Sequence, residues 1–222
     1  MPPVDKARAE DPRHPVALSG PAALKSPAAI ILFLGVTAAG LAGDLVSKHV
    51  VFQWLLDRPN LLEEVAAARR RLGDVPSTSI LQDLHLRRRI MPGISLTLQT
   101  NPGLAFGKGK GIPRWLVAGA TLVTMVMVLY FFATSRPKAR SVHVALAFIL
   151  SGAIGNLYDR LFGQVLLPGV EPIRYQVRDF IDCTELLWVW VFNVADALLV
   201  VGVGLLMIHW WRGERPRKPA SA

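Results

Sequence analysis

The sequence predicts an all-α membrane protein with four transmembrane helices, and three observations carry that class. Of its 222 residues 52% are hydrophobic, and they gather in blocks instead of spreading evenly. Four blocks, at about 27–47, 113–133, 141–161 and 188–210, reach the roughly 20 apolar residues a helix needs to cross about 30 Å of hydrocarbon. Tryptophan stands at their ends: Trp115 opens the second, while Trp188, Trp190, Trp210 and Trp211 bracket the fourth. Amphipathic rings prefer that interfacial position.

In chain order, residues 1–26 mix Pro, Ala and charge and read as a disordered tail. The apolar segment that follows is longer than the core of a cleavable signal. It runs into Asp44 and Lys48 instead of a small-residue cleavage site, so it reads as a retained first span. Between spans one and two, residues 55–90 mix Leu and Ala with charge in a loosely helical pattern, and GISLTLQ at 93–99 alternates like a short strand. Two Arg-Arg-Arg runs, 69–71 and 87–89, fit either anionic head groups or a solvated charged face. Spans two and three are joined by a short basic loop, and residues 212–222 read as a second tail. The membrane domain is therefore expected over 27–211, with 51–92 as an outer-loop insertion. The single cysteine, Cys183, excludes a disulfide framework within the chain.

A formal charge of +9 is compatible with nucleic acid, but its placement points to a bilayer, and no nucleic-acid partner is expected. Lys6, Arg8, Arg13 and Lys25 precede span one, Arg136, Lys138 and Arg140 lie between spans two and three, and Arg212, Arg215, Arg217 and Lys218 follow span four. All three groups fall on one side of a four-span chain, so the positive-inside rule puts both termini in the cytoplasm.

Polar groups inside spans are expensive and normally face the bundle interior in pairs. Asp44 and Lys48 are four apart on one face and predict an intrahelical ion pair. In span three, Asn156, Asp159 and Arg160 share a face, and Gly152 and Gly155 allow a neighbouring helix to approach. Asp44, Lys48 and Asp159 read as structural members, with Asp159 pairing with Arg160 or Lys48. Span four carries Asn193 and Asp196, the acid about two turns in, with no base nearby on its own helix. Its partner must come from elsewhere, and Asp179, 17 residues upstream in VRDFID, is a candidate. At ~4 Å and an effective dielectric near ~20, two carboxylates repel by about 4 kcal/mol, so such a pair retains one proton. A pair of that kind can deprotonate a water while donating to a carbonyl oxygen.

Five ordered blocks, DLVSK at 44–48, NPGLAFG at 101–107, GNLYDR at 155–160, VRDFID at 177–182 and FNVAD at 192–196, make the chain resemble signal peptidase II, the lipoprotein signal peptidase family of bacteria. The resemblance implies an intramembrane aspartyl protease that removes the signal peptide of a prolipoprotein just upstream of a diacylglyceryl-modified cysteine. It implies that Asp179 and Asp196 are catalytic and that Asn101, Asn156, Arg160 and Asn193 line the pocket. It also implies a small extracytoplasmic β-cradle and short surface helix between spans one and two, and residence in the bacterial cytoplasmic (inner) membrane with the site near the outer face. The expected partners are diacylglyceryl prolipoproteins and membrane lipids, the expected state is a monomer, and neither metal nor cofactor is expected. Two departures stand out: the segment between DLVSK and NPGLAFG is long for the family, and Ala197 occupies a position where serine often follows the second aspartate.

Other proteolytic chemistries find no support. HExxH is absent, Ser151 has no nucleophile setting, and His49, His143 and His209 are scattered as packing or interfacial residues. The competing class is a small proton-coupled transporter or channel with Asp159, Asp179 and Asp196 as a relay, which the absence of an inverted repeat weakens.

Overall fold

The computed structural model describes residues 22–103, 113–186 and 190–213. It is mostly helical, with four helices long and apolar enough to span a membrane and a small sheet gathered at one end of them.

Helix α1 (Pro27–Leu56) starts with Pro27 in its first turn and with the Ser26 hydroxyl accepting from the Ala29 N–H. At 30 residues it is about 45 Å long, well beyond the expected end at 47. Hydropathy stops at Asp44 and Lys48, but both are wholly buried and paired, so the helix passes through them. Its last turns carry Phe52 and Leu55 into a second core outside the bundle.

That second core is built by the insertion. Helices α2 (Leu61–Leu72) and α3 (Ser77–Asp83) contribute Leu61, Val65, Ile80 and Leu81, which cluster with Leu98 and Phe180. Strands β1 (Arg87–Met91) and β2 (Ile94–Asn101) follow as an antiparallel hairpin. The short strand expected at 93–99 falls in β2, but residues 87–90, read as part of a loosely helical stretch, are strand: β1 looks like charged helix in sequence, and all five of its residues are exposed.

Helices α4 (Arg114–Thr134) and α5 (Arg140–Phe162) match their predicted spans within a residue at each end. Most of α5 is buried, and α1, α4 and α6 (Val194–Gly213) all pack against it. Gly152 and Gly155 make the closest of these approaches possible, since a Cβ at 152 would meet the Ala195 carbonyl and one at 155 the Asp44 carboxylate. By contrast, α4 and α6 barely touch one another, which leaves a cleft between them.

The segment between α5 and α6 is more than a loop. Strands β3 (Gln164–Val165) and β4 (Ile173–Arg174) form a small ribbon, while β5 (Val177–Asp182) and β6 (Val191–Phe192) extend the first hairpin into an antiparallel sheet of order β1-β2-β5-β6. The expected fourth span, 188–210, is corrected accordingly. Residues 191–192 are strand, Asn193 belongs to neither element and the helix begins at Val194; Trp188 lies outside the described residues. Apolar strand and apolar helix are indistinguishable by hydropathy over so short a run.

The described helix ends that adjoin the basic groups lie together. The Ala23 N–H, just before α1, donates to the Ser135 carbonyl at the end of α4 (3.0 Å), and Ser141 at the start of α5 meets His209 near the end of α6 (3.1 Å). Ala23–Lys25, expected in the tail, form a 3-10 turn with Ala23 buried. The rest of both expected tails, 1–21 and 214–222, lies outside the described residues.

Candidate active site

Helix α6 explains the Asn193 to Asp196 spacing. Asn193 is the residue before the helix and Asp196 the third within it, the positions of a capping box. The Asn193 Oδ1 accepts from the Asp196 N–H at 3.0 Å, and Asp196 Oδ2 accepts from the Asn193 N–H at 3.4 Å. Asp196 is thus in the first turn, not two turns deep as expected. The Ala195 N–H, another donor without a partner inside its own helix, is taken by Asp44 Oδ1 from α1 at 2.8 Å.

Asp179 arrives from the sheet. It lies in β5 opposite Gln99, and strand alternation separates it from Arg178 and Phe180. Its side chain is almost wholly buried. Asn193 Nδ2 donates to Asp179 Oδ1 at 2.6 Å and Asn101 Nδ2 to Oδ2 at 3.4 Å. Burial pushes the carboxyl up from 3.8 to about 7, and the charge of Asp196 adds to that rise; the two amides and Lys48 oppose it.

Two amides tie the acids together. Asn193 Nδ2 also reaches Asn156 Oδ1 at 3.2 Å, and Asn156 Nδ2 donates to Asp196 Oδ1 at 2.8 Å. Lys48 Nζ donates to the same Asn156 Oδ1 at 3.1 Å, so the oxygen of Asn156 is held on the lysine side and its NH2 faces Asp196. Asp179, Asp196, Asn101, Asn156 and Arg160 line one cavity of about 700 Å³. Val117 and Ala120 of α4 and Leu199 and Val200 of α6 form its apolar walls. Asn193 is wholly buried behind the acids. Arg160 braces the rim, donating from Nη1 to the Asn156 carbonyl and from Nη2 to the Gly103 carbonyl, both at 3.2 Å. Of NPGLAFG, residues 104–107 lie outside the described residues.

Behind this cavity Lys48 meets Asp44 Oδ2 at 2.7 Å and Asp159 Oδ2 at 3.1 Å. The other oxygen of Asp159 is taken by Arg178, through Nη2 at 2.7 Å and Nε at 3.0 Å, and the Arg178 backbone N–H reaches Oδ2 at 3.1 Å. Of the two partners expected for Asp159, Lys48 forms the pair and Arg160 turns to carbonyls. Sequence reasoning missed Arg178; the signal was its place in an alternating strand, on the face opposite Asp179. His143 is a packing residue, edge-on to Phe132 at 5.2 Å and within 3.0 Å of the Ser135 hydroxyl. Among the described residues, no three His, Cys, Asp or Glu side chains converge as a metal site.

Two carboxyl groups at one cavity, one of them titrating near neutrality, form an acid–base pair able to work on water. A family model described as signal peptidase (SPase) II matches residues 36–212. The chain belongs to that family. It is a protease, and the transporter reading lapses with that assignment. Curated relatives named lipoprotein signal peptidase agree. The protein from Anoxybacillus flavithermus is 34% identical over 127 residues, covering 57% of this chain and 68% of the relative. That of Clostridium novyi is 38% identical over 112 residues, covering 50% and 69%, and that of Halalkalibacterium halodurans is 36% identical over 124 residues, covering 55% and 72%. A solved structure titled as a bacterial membrane enzyme, obtained by the in meso method, has a TM-score of 0.53 at 19% identity, over 86% of this chain and 94% of that one. At that identity the likeness speaks for the fold alone.

Proposed function

We propose that this signal peptidase II family protein is an aspartyl endopeptidase that removes signal peptides from diacylglyceryl-modified prolipoproteins, cutting upstream of the lipidated cysteine. The observation that carries the reading is the joining of Asp179 and Asp196 at one cavity through Asn193 and Asn156. Water is the nucleophile: the ionised acid takes a water proton while the protonated one donates to the scissile carbonyl oxygen. The tetrahedral intermediate then collapses with protonation of the leaving amine, without an acyl-enzyme. Asn101 and Arg160, at the rim, hold substrate backbone.

The cleft between α4 and α6 suits a lipid-borne substrate, because its apolar walls open toward the bilayer while the polar floor lies at the sheet end. The basic groups gathered at the other end support cytoplasmic termini, a site near the outer face of the inner membrane and a sheet serving as an extracytoplasmic cradle. Every residue in this scheme comes from one chain, so a monomer suffices.

The test is peptide release from a lipidated precursor by Asp179→Asn and Asp196→Asn. Each should lose at least about 100-fold, the lower range for a positioned acid or base. Retained cleavage by both variants rejects the proposal.

A further inference from the structure

On the lipid-facing side of α1, Val46, Val50 and Trp54 follow one another at four-residue steps and are all exposed, forming one stripe. The height of Trp54 follows from the ion pairs. Lys48 is level with Asp159 of α5, and Trp54 is six residues farther, or about 9 Å. Helix α5 ends three residues past Asp159, about 4.5 Å farther along. Trp54 therefore stands roughly 5 Å beyond the end of α5, within a headgroup layer of about 5–7 Å.

Strand β1 divides its arginines between two faces. Arg87 is paired with Asp182 at 2.9 Å and Glu185 at 3.1 Å, and Arg89 with Glu185 at 2.8 Å. Arg88 points the other way, with its guanidinium 4.6 Å from the centroid of the Trp54 ring and no acidic partner among the described residues. Ile90 and Met91, beside it in the hairpin, are each about half exposed. A guanidinium stacked on an indole keeps its in-plane N–H fork free, and that fork matches a phosphate. Tryptophan at the interface, a free arginine over it and two apolar side chains alongside make a headgroup seat next to an acyl-chain surface.

We propose that Arg88 and Trp54 form a binding site for the phosphodiester of a net-anionic glycerophospholipid of the phosphatidylglycerol class, in the leaflet on the sheet side. Arg88 binds the phosphate, Trp54 holds the glycerol level, and the Val46–Val50 stripe lies along an acyl chain. The site fixes the sheet against the membrane through the face of β1 that, among the described residues, has no ion pair.

The full chain in mixed micelles of dioleoylphosphatidylglycerol or dioleoylphosphatidylcholine, read by native mass spectrometry for retained lipid, tests this. Arg88→Gln and Trp54→Leu should each lower phosphatidylglycerol retention about fivefold, the ratio equivalent to ~1 kcal/mol for a basic residue at an anionic surface. Arg70→Gln, which removes the same charge from an exposed arginine on α2, should change it less than about twofold on the same scale. Inorganic phosphate should not displace the lipid. Equal losses for Arg88→Gln and Arg70→Gln, equal dependence on Arg88 for phosphatidylcholine, or displacement by phosphate would each overturn the proposal. So would unchanged lipid retention with altered precursor cleavage, which would point to a peptide ligand. Arg88 is exposed and Trp54 is 42% exposed, so thermal midpoints should hold; if Trp54→Leu unfolds, Arg88→Gln decides alone.

Discussion

Replacing Asp179 by Asn should separate stability from activity in a pH-dependent way. The carboxyl titrates at about 7 in the folded chain against 3.8 ordinarily, and at ~1.4 kcal/mol per pH unit this amounts to ~4 kcal/mol. Because the folded value is raised, this contribution is fully present below about pH 4 and is lost as pH rises through about 7. Asparagine keeps the shape and never ionises. It gives up only the 3.4 Å contact from Asn101, about 1 kcal/mol, because its own oxygen can still accept from Asn193. At pH 8.5 the variant should therefore be more stable than the parent by ~3 kcal/mol, or about 6–12 °C in thermal midpoint for a chain of this size. At pH 4 it should be level or slightly less stable. Midpoints of both proteins in one detergent from pH 4 to 9 give the difference, which cancels all other titrating groups. A difference that stays flat across this range would refute the assignment of a buried, repelled carboxyl to Asp179. The parent's peptide release should decline above about pH 7 over the same window.

Gly35→Ala and Gly155→Ala should move in opposite directions. A Cβ at Gly35 meets nothing within 4 Å, so about 0.5–1 kcal/mol of stability is gained. At Gly155 the Cβ strikes the Asp44 carboxylate, costing about 1–3 kcal/mol and lowering turnover because Asp44 holds the start of α6. Lys48→Met leaves Asp159 paired with Arg178 alone and removes the cation that pairs with the buried Asp44. It should cost about 3–5 kcal/mol, with more than half recovered in a double variant that adds Asp44→Asn; thermal midpoints check both.

The central helices were legible because α4 and α5 are bounded by polar loops, where hydropathy and helix ends coincide. The ends of α1 and α6 were not. Asp44 and Lys48 look like a stop in sequence, yet each neutralises the other and the backbone continues. At the start of α6, Val191 and Phe192 are as apolar as the helix, and only the capping-box pattern from Asn193 to Asp196 marks the true boundary. The candidate acids and amides could be named from their cost in a membrane and from the family blocks. Their mutual arrangement could not, since the Asn193 to Asn156 contact spans 37 residues and two elements. Arg178 was hidden for a related reason: its neighbour Asp179 drew attention to one face of β5, while the partner of Asp159 stood on the other.

The buried charges also bear on the single proton that the proposed mechanism assigns to the pair. Lys48, Arg178 and Arg160 supply three positive charges around the site, and Asp44 and Asp159 supply two negative ones. One proton held by the Asp179–Asp196 pair leaves the pair with a single negative charge and makes the cluster neutral. Losing that proton leaves one net negative charge among largely buried groups, where uncompensated charge costs several kcal/mol. Protonating both acids leaves a net positive charge instead. On the proposed mechanism, these buried ion pairs would favour the state in which one acid accepts a proton and the other donates. Removing one of them should therefore shift the pH at which Asp179 titrates, even though Arg178 faces away from the cavity. Arg178→Gln should move the alkaline limb of peptide release upward, because one less cation favours retention of the proton. An unmoved limb, in a variant that remains folded, would mean that the site's charge balance is set by its immediate neighbours alone.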